Sequence, residues 1–150
     1  MKHYDRPEVD FNNDLLLPNI IEVNAKRNPS KAALIQGERQ VNWKQMSTDI
    51  NRIANGLLDL GIRKGQRVAL LGRNSIEYSE LFCGILTAGA CVVPLSTMIN
   101  AKTLALMLED SQPKALFLDQ QYKDLFLEFE AAFPNLSFNK YIIDFVQRGL

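Results

Sequence analysis

The residues best placed to do chemistry in this sequence lie in a short loop, Ser96-Thr97-Met98-Ile99-Asn100. The loop follows the apolar run Cys91–Leu95 and precedes a helical pattern. Open α/β sheets hold their ligands at such places, where the carboxyl end of a strand meets a helix N-terminus. Ser96 and Asn100 are equally well explained as helix caps, so the two readings stand level. A second stretch, Gly84-Ile-Leu-Thr-Ala-Gly89-Ala90, has the glycine spacing of a phosphate loop. It departs from one twice: Ala90 stands where lysine would neutralise phosphate, and the segment closes a helical pattern where a phosphate loop opens one. Helix packing at Gly84 and a helix stop at Gly89 explain it better. No GxGxxG occurs, which removes the dinucleotide fingerprint.

The other reactive side chains read as structural. Asp59, Asp110, Glu77, Glu80 and Glu109 fall at helix ends or on polar faces, where a solvated carboxylate is the default. Arg63, Lys64 and Arg67 form either an anion patch or, more simply, a solubilising turn. Met46, Met98 and Met107 suit packing, and Trp43 closes a predicted strand and anchors a hairpin. Cys83 and Cys91 lie on segments that look buried, which favours reduced core thiols over a bridge or a metal site. His3 is the only histidine, and it sits in a polar tail. The sequence therefore yields no catalytic residue and no metal-ligand set.

The elements that position these residues follow from periodicity and punctuation. Residues 1–16 read as a polar extension. Pro18 opens a helix that stops at Asn28-Pro29. Ala32–Gln36 and Arg39–Trp43 form two strands joined by Gly37-Glu38, the pattern of a type II′ hairpin, which belongs at an edge. Met46, Ile50, Ile53, Ala54, Leu57 and Leu58 keep a 3.6-residue period from Lys44 to Leu60, with Gly61 as the stop. Strands then follow at Arg67–Leu71, Cys91–Leu95, Lys114–Asp119 and Tyr141–Asp144. Between them run helices opened by Asn74 or Ser75, by Asn100 (over Ala101–Asp110), and at Gln121–Phe133. This alternation predicts an α/β fold with a largely parallel, doubly wound sheet flanked by helices and a small antiparallel hairpin near the N-terminus. The last predicted strand lacks its return helix, so the expectation is a piece of something longer.

Composition sets the outer bounds. Apolar content of 47% and charged content of 23% are ordinary globular values, and the formal net charge is zero. That balance gives no electrostatic case for nucleic acid or an anionic membrane. No run reaches the ~20 apolar residues of a membrane span, and the first residues, MKHYDRPEVDFNND, carry alternating charges without an apolar run of the length a signal peptide needs. The expected location is the cytoplasm.

Four segments in order amount to a pattern: NWKQM (Asn42–Met46), NRIANGLLDLGIRKGQRVALLGRNSIEY (Asn51–Tyr78), LTAGACVVPLS (Leu86–Ser96) and LALMLEDSQPKALF (Leu104–Phe117). Together they resemble the N-terminal portion of the AMP-forming acyl-CoA synthetase, adenylation-domain and luciferase superfamily. In the first segment Asn42, Trp43, Gln45 and Met46 hold the places of the family's Thr, Tyr, Glu and Leu. The resemblance runs from about Leu17 to Tyr141 and implies that residues 17–150 are the N-terminal α/β subdomain of a longer ligase, whose sheet packs on the next subdomain. It implies two half-reactions, in which a carboxylate attacks ATP to give an acyl-adenylate and a thiol then displaces AMP. ATP, Mg²⁺ and coenzyme A are the implied cofactors, and the remaining subdomains and a carboxylic acid the implied partners. The triphosphate loop, ribose-binding Asp and mobile Lys of such enzymes have no counterpart in residues 1–150, so the fragment alone is expected to be inactive. Where the family's coenzyme A channel passes the loop after Val92–Leu95, the matching positions are Thr97 and Met98. The sequence lacks the Gly residues that some acetyl-specific members carry there.

The leading expectation is the N-terminal part of a carboxylic, in particular fatty, acid:CoA ligase. An adenylation domain that loads a carrier protein is the alternative within the superfamily, and a stand-alone α/β interaction module is the alternative outside it. If the chain is a cut subdomain, it exposes apolar surface meant for its missing neighbour. The isolated chain is then expected to self-associate or to bind an apolar dye, and a monomeric, dye-silent chain in sedimentation and fluorescence titration would speak against that.

Overall fold

The computed structural model describes residues 16–134 and 138–143. The expectations for residues 1–15, His3 among them, and for Asp144 lie outside the described residues. The elements in order are α1 (Leu17–Arg27), β1 (Ala32–Gln36), β2 (Arg39–Asn42), α2 (Trp43–Asp59), β3 (Arg67–Leu71), α3 (Ile76–Thr87), β4 (Cys91–Leu95), α4 (Ala101–Ser111) and β5 (Ala115–Asp119). A 3₁₀ turn (Gln120–Tyr122), α5 (Lys123–Ala132) and β6 (Asn139–Ile143) complete the chain.

The helix boundaries come from side chains that satisfy free backbone groups. Asn42 Oδ1 accepts the Gln45 N–H at 2.8 Å, so β2 ends one residue earlier than its pattern suggests and Trp43 becomes the first residue of α2. Asp119 does the same for the 3₁₀ turn, which splits the single helix expected over Gln121–Phe133. At the other ends α2 and α3 stop in the same way. The Gly61 and Ile62 amides return to Leu58 O and Leu57 O, both at 3.0 Å, and the Gly89 and Ala90 amides to Leu86 O and Ile85 O at 2.9 and 3.1 Å. This double bond needs a left-handed residue, and Gly61 and Gly89 supply it with φ of 83° and 75°. The expected stop at Gly89 is thus present.

The two halves of the chain build separate sheets. β3–β6 form a four-stranded, wholly parallel sheet in the order β4-β3-β5-β6, with Leu71 level with both Leu95 and Leu118. Alternate residues of the central strands face opposite ways. Val68, Leu70, Ala115 and Phe117 pack with Leu57, Leu81 and Ile85 of α2 and α3. Ala69, Leu71, Leu116 and Leu118 pack with Leu104, Leu108, Phe126 and Phe129 of α4 and α5. Helices on both faces make the sheet doubly wound, as the alternation predicts. The hairpin β1–β2 is a sheet of its own and not the edge of the large one, because its second strand runs directly into α2. Gly37 has a positive φ and Glu38 does not, as a type II′ turn requires. A third core cluster, Ile21, Met46, Ile50 and Cys83, with Leu34, Val41 and Trp43 against it, joins the hairpin to α1, α2 and α3.

One feature of β4 differs from expectation. Cys91 is exposed, because β4 is an edge strand and Cys91 opens it; among the described residues only Cys83 is a core thiol. Pro94 sits inside the strand, level with Leu70. The Cys91 amide donates to Gln66 O at 2.8 Å, so the backbone groups of Cys91, Val93 and Leu95 turn toward β3 and those of Val92 and Pro94 turn outward. The missing donor of Pro94 therefore lies on the free edge.

Among the described residues no helix is long and apolar enough to cross a membrane. Helices α2 and α3 approach closely at Gly84 of α3, where a Cβ would lie 2.4 Å from Ile53 Cγ2 and 2.8 Å from Ile53 Cβ of α2. Ile53 is branched at Cβ and cannot swing aside. Gly84→Ala is expected to push the two helices apart and destabilise the chain by about 1–3 kcal/mol, read as a lower denaturant midpoint at unchanged m-value.

Candidate functional site

In a parallel sheet all carboxyl ends lie on one rim. Because Leu71, Leu95 and Leu118 are level, the segments that leave them form that rim together: Gly72–Ser75 after β3, Ser96–Asn100 after β4 and Gln120–Tyr122 after β5. From β3 the chain passes to β4 on one side, then crosses over to β5 on the other. The winding thus reverses between β3 and β5, and open sheets form their ligand crevice at such a reversal. The structure places this point beside Gly72–Ser75 and Asp119, one strand away from the Ser96–Asn100 loop.

Within that loop each side chain has a definite place. Ser96 Oγ accepts the Met98 N–H at 3.2 Å, and Asn100 Oδ1 accepts the Thr103 N–H at 2.9 Å. The capping reading is therefore realised at Asn100, whereas Ser96 is no helix cap and instead closes a turn within the loop. Thr97 is half-buried, whereas Met98 is 93% exposed, an unusual position for a long apolar side chain. At the head of α3, Ser75 Oγ accepts the Tyr78 N–H at 3.0 Å.

Asp119 is the rim residue that sequence reasoning passed over. It is 2% exposed, and its carboxylate accepts from the backbone N–H and the side-chain amide of Gln121. The available signal was an acidic residue closing an apolar strand directly before a helix. Glu80 and Glu77 also depart from the solvated reading. Glu80 is 8% exposed, and the Glu77 carboxylate is mostly buried beneath the Arg39 guanidinium of the hairpin. The hydrogen bond from Arg39 to Glu77, with the charges of Glu77 and Glu80, holds that guanidinium above its ordinary pKa, against a smaller desolvation effect.

The basic turn lies at the opposite rim and binds no rim loop. Arg63 Nη1 donates to Leu58 O at 2.7 Å and Ile62 O at 3.0 Å, at the end of α2. Arg67 donates to Ser111 O and to Gln112 O, at the end of α4. These guanidiniums satisfy carbonyls at the negative ends of two helices, a role that neither an anion patch nor a solubilising turn describes.

Comparison with known proteins supplies the context. The family model described as "AMP-binding enzyme" matches residues 21–144. The fatty acid–[acyl-carrier-protein] ligase ScoC of Streptomyces coeruleorubidus is 31% identical over 111 residues, covering 74% of this chain and 21% of that protein. The peroxisomal butyrate–CoA ligase AAE11 of Arabidopsis thaliana is 30% identical over 106 residues, covering 71% and 18%. Among solved structures, the inhibitor-bound N-terminal domain of FACL13 from Mycobacterium tuberculosis superposes with a TM-score of 0.79 at 29% identity, over 85% of this chain and 33% of that one. The chain spans about a fifth of the length of these two curated relatives.

The two thiols give a check on these placements. Burial, reinforced by Glu80, raises the Cys83 thiol above its ordinary pKa, and burial raises Tyr78 likewise. A raised folded-state pKa means that the stabilisation is complete below the unfolded thiol pKa of about 8.5 and is lost as pH climbs through the folded value. Stability is expected to fall above about pH 8.5, with a shallower fall in Cys83→Ala. One thiol, Cys91, is expected to react rapidly with a colorimetric disulfide reagent, and Cys91→Ser to abolish that phase.

Proposed function

This chain belongs to the AMP-binding enzyme family, and on that premise we propose that it is the N-terminal α/β subdomain of an ATP-dependent, AMP-forming carboxylic acid:CoA ligase. The observation that carries the reading is the ordered set of segments from Asn42 to Phe117, all inside the matched residues 21–144 and folded as one doubly wound unit. The names of the relatives favour fatty acids as the substrate class. The ScoC name favours a second reading, in which the acceptor is a carrier-protein thiol and not coenzyme A.

The residues present do not fit ATP·Mg²⁺. The first turns of α3 and α4 are capped by Ser75 and Asn100 of the chain itself, which occupies amides that a phosphate would need. No group of His, Cys, Asp and Glu among the described residues could hold a metal ion. The nucleotide and its metal are assigned to the remainder of the ligase. The rim does suit the wall of a thiol channel. Thr97 offers a hydroxyl, and Met98 an exposed, adaptable apolar side chain that could line the path of a thiol-bearing arm. In this reading the subdomain contributes a wall and a rigid base, and on its own it turns over no substrate.

Calorimetric titration of the 150-residue chain tests the assignment. No heat with ATP·Mg²⁺, with or without weak coenzyme A binding, is the expected result. Micromolar ATP affinity would place the nucleotide site in this subdomain and overturn the reading.

A further inference from the structure

The hairpin is lightly anchored. Neither β1 nor β2 contains a fully buried residue, and the cluster beneath them takes all its buried members, Ile21, Met46, Ile50 and Cys83, from helices. A two-stranded hairpin has little stability of its own, so its attachment decides whether it stays down. Beyond the backbone bonds at its base, from Trp43 N to Lys31 O and Lys44 N to Pro29 O, polar contacts to the first turn of α3 hold it. Gln36 Oε1 accepts the Ile76 N–H at 3.1 Å, and Arg39 pairs with the Glu77 carboxylate, whose side chain is 11% exposed. Around this seam lies a cleft of about 170 Å³ bordered by Leu34, Gln36, Asn74, Ser75, Ile76 and Ser79. Asn74 and Ser75 belong to the rim loop that follows β3. Behind the hairpin, in the same cluster, sits the Cys83 thiol.

We propose that the β1–β2 hairpin is an ion-pair-latched strap over the first turn of α3, which opens as a local unit without global unfolding and uncovers Cys83 and the cleft beside the β3–α3 loop. The cost of opening is small, because the hairpin gives up half-buried side chains, one ion pair and one cap bond. The two large clusters on the parallel sheet stay intact. Segments with few buried apolar contacts open in this sub-global way. Opening also frees the Ile76 amide and removes the side chain that holds Glu77, so the strap and the rim loop are mechanically coupled. The inference rests on this packing alone and not on the ligase reading.

Cys83 is its own reporter. In a Cys91→Ser chain, alkylation of Cys83 is expected to depend on denaturant far more weakly than global unfolding does, and amides of residues 32–42 to exchange faster than those of β3 and β5. Arg39→Met is expected to speed both Cys83 alkylation and hairpin exchange several-fold, with Arg39→Lys restoring part of the protection. Removing a cation cannot lower the pKa of a thiol, so faster modification reports opening and not electrostatics. Cys83 alkylation with the full denaturant dependence of global unfolding would overturn the proposal. So would hairpin amides exchanging in step with β3 and β5, or rates unchanged in Arg39→Met. Should Arg39→Met fail to fold, the denaturant dependence of the Cys91→Ser chain decides alone.

Discussion

Two strands with no exposed face govern this structure. Every residue of β5 is buried, and so is every residue of β3 after Arg67. A strand buried on both sides must be covered by helices on both sides, and a parallel strand must be followed by a crossover long enough to be a helix. The division of α2 and α3 from α4 and α5 about the order β4-β3-β5-β6 meets those two requirements. The level ends of the strands, and with them the rim, come from the same source. The close approach of α2 and α3 at Gly84 belongs to this constraint, since two helices must share the cover of one face.

The polar groups serve the same layering. Arg63 and Arg67 bind the ends of α2 and α4, while Ser75, Asn100 and Asp119 bind the starts of the segments that leave the rim. One rim is thus held by cations on helix carbonyls and the other by oxygen acceptors on helix amides. The division of charge follows the helix dipoles. It leaves the first turns of the segments at the carboxyl rim partly satisfied by the chain's own side chains.

Much of this was legible in the residues. The 3.6-residue stripe of α2, the glycine stops and the buried runs of β3 and β5 are local signals, and each element exists where its pattern lies. What was hidden depends on neighbours far along the chain. Glu77 and Glu80 sit on a helix face that is polar by composition, but the hairpin covers them from thirty-eight residues away in the Arg39–Glu77 case. Arg67 looks like a charge in a turn until α4 ends beside it. Cys91 reads as buried because its strand is apolar, yet strand order decides exposure, and order is not written in any window. The position of the winding reversal is hidden for the same reason. Trp43 is a local misreading, where a cap at Asn42 outranked the β character of an aromatic residue, and the 3₁₀ turn capped by Asp119 is another.

Pro94 gives β4 an asymmetry that reaches beyond the chain's own folding. An edge strand is a template for a foreign strand as long as it offers alternating donors and acceptors. On the outward side of β4 the donor that should follow Val92's belongs to a proline, so an arriving strand would find a gap in the ladder after one bond. The sheet is therefore closed to recruitment on that flank by a single ring. A second copy approaching β4 edge to edge would meet that gap two residues beyond the exposed Cys91 thiol's neighbour Val92.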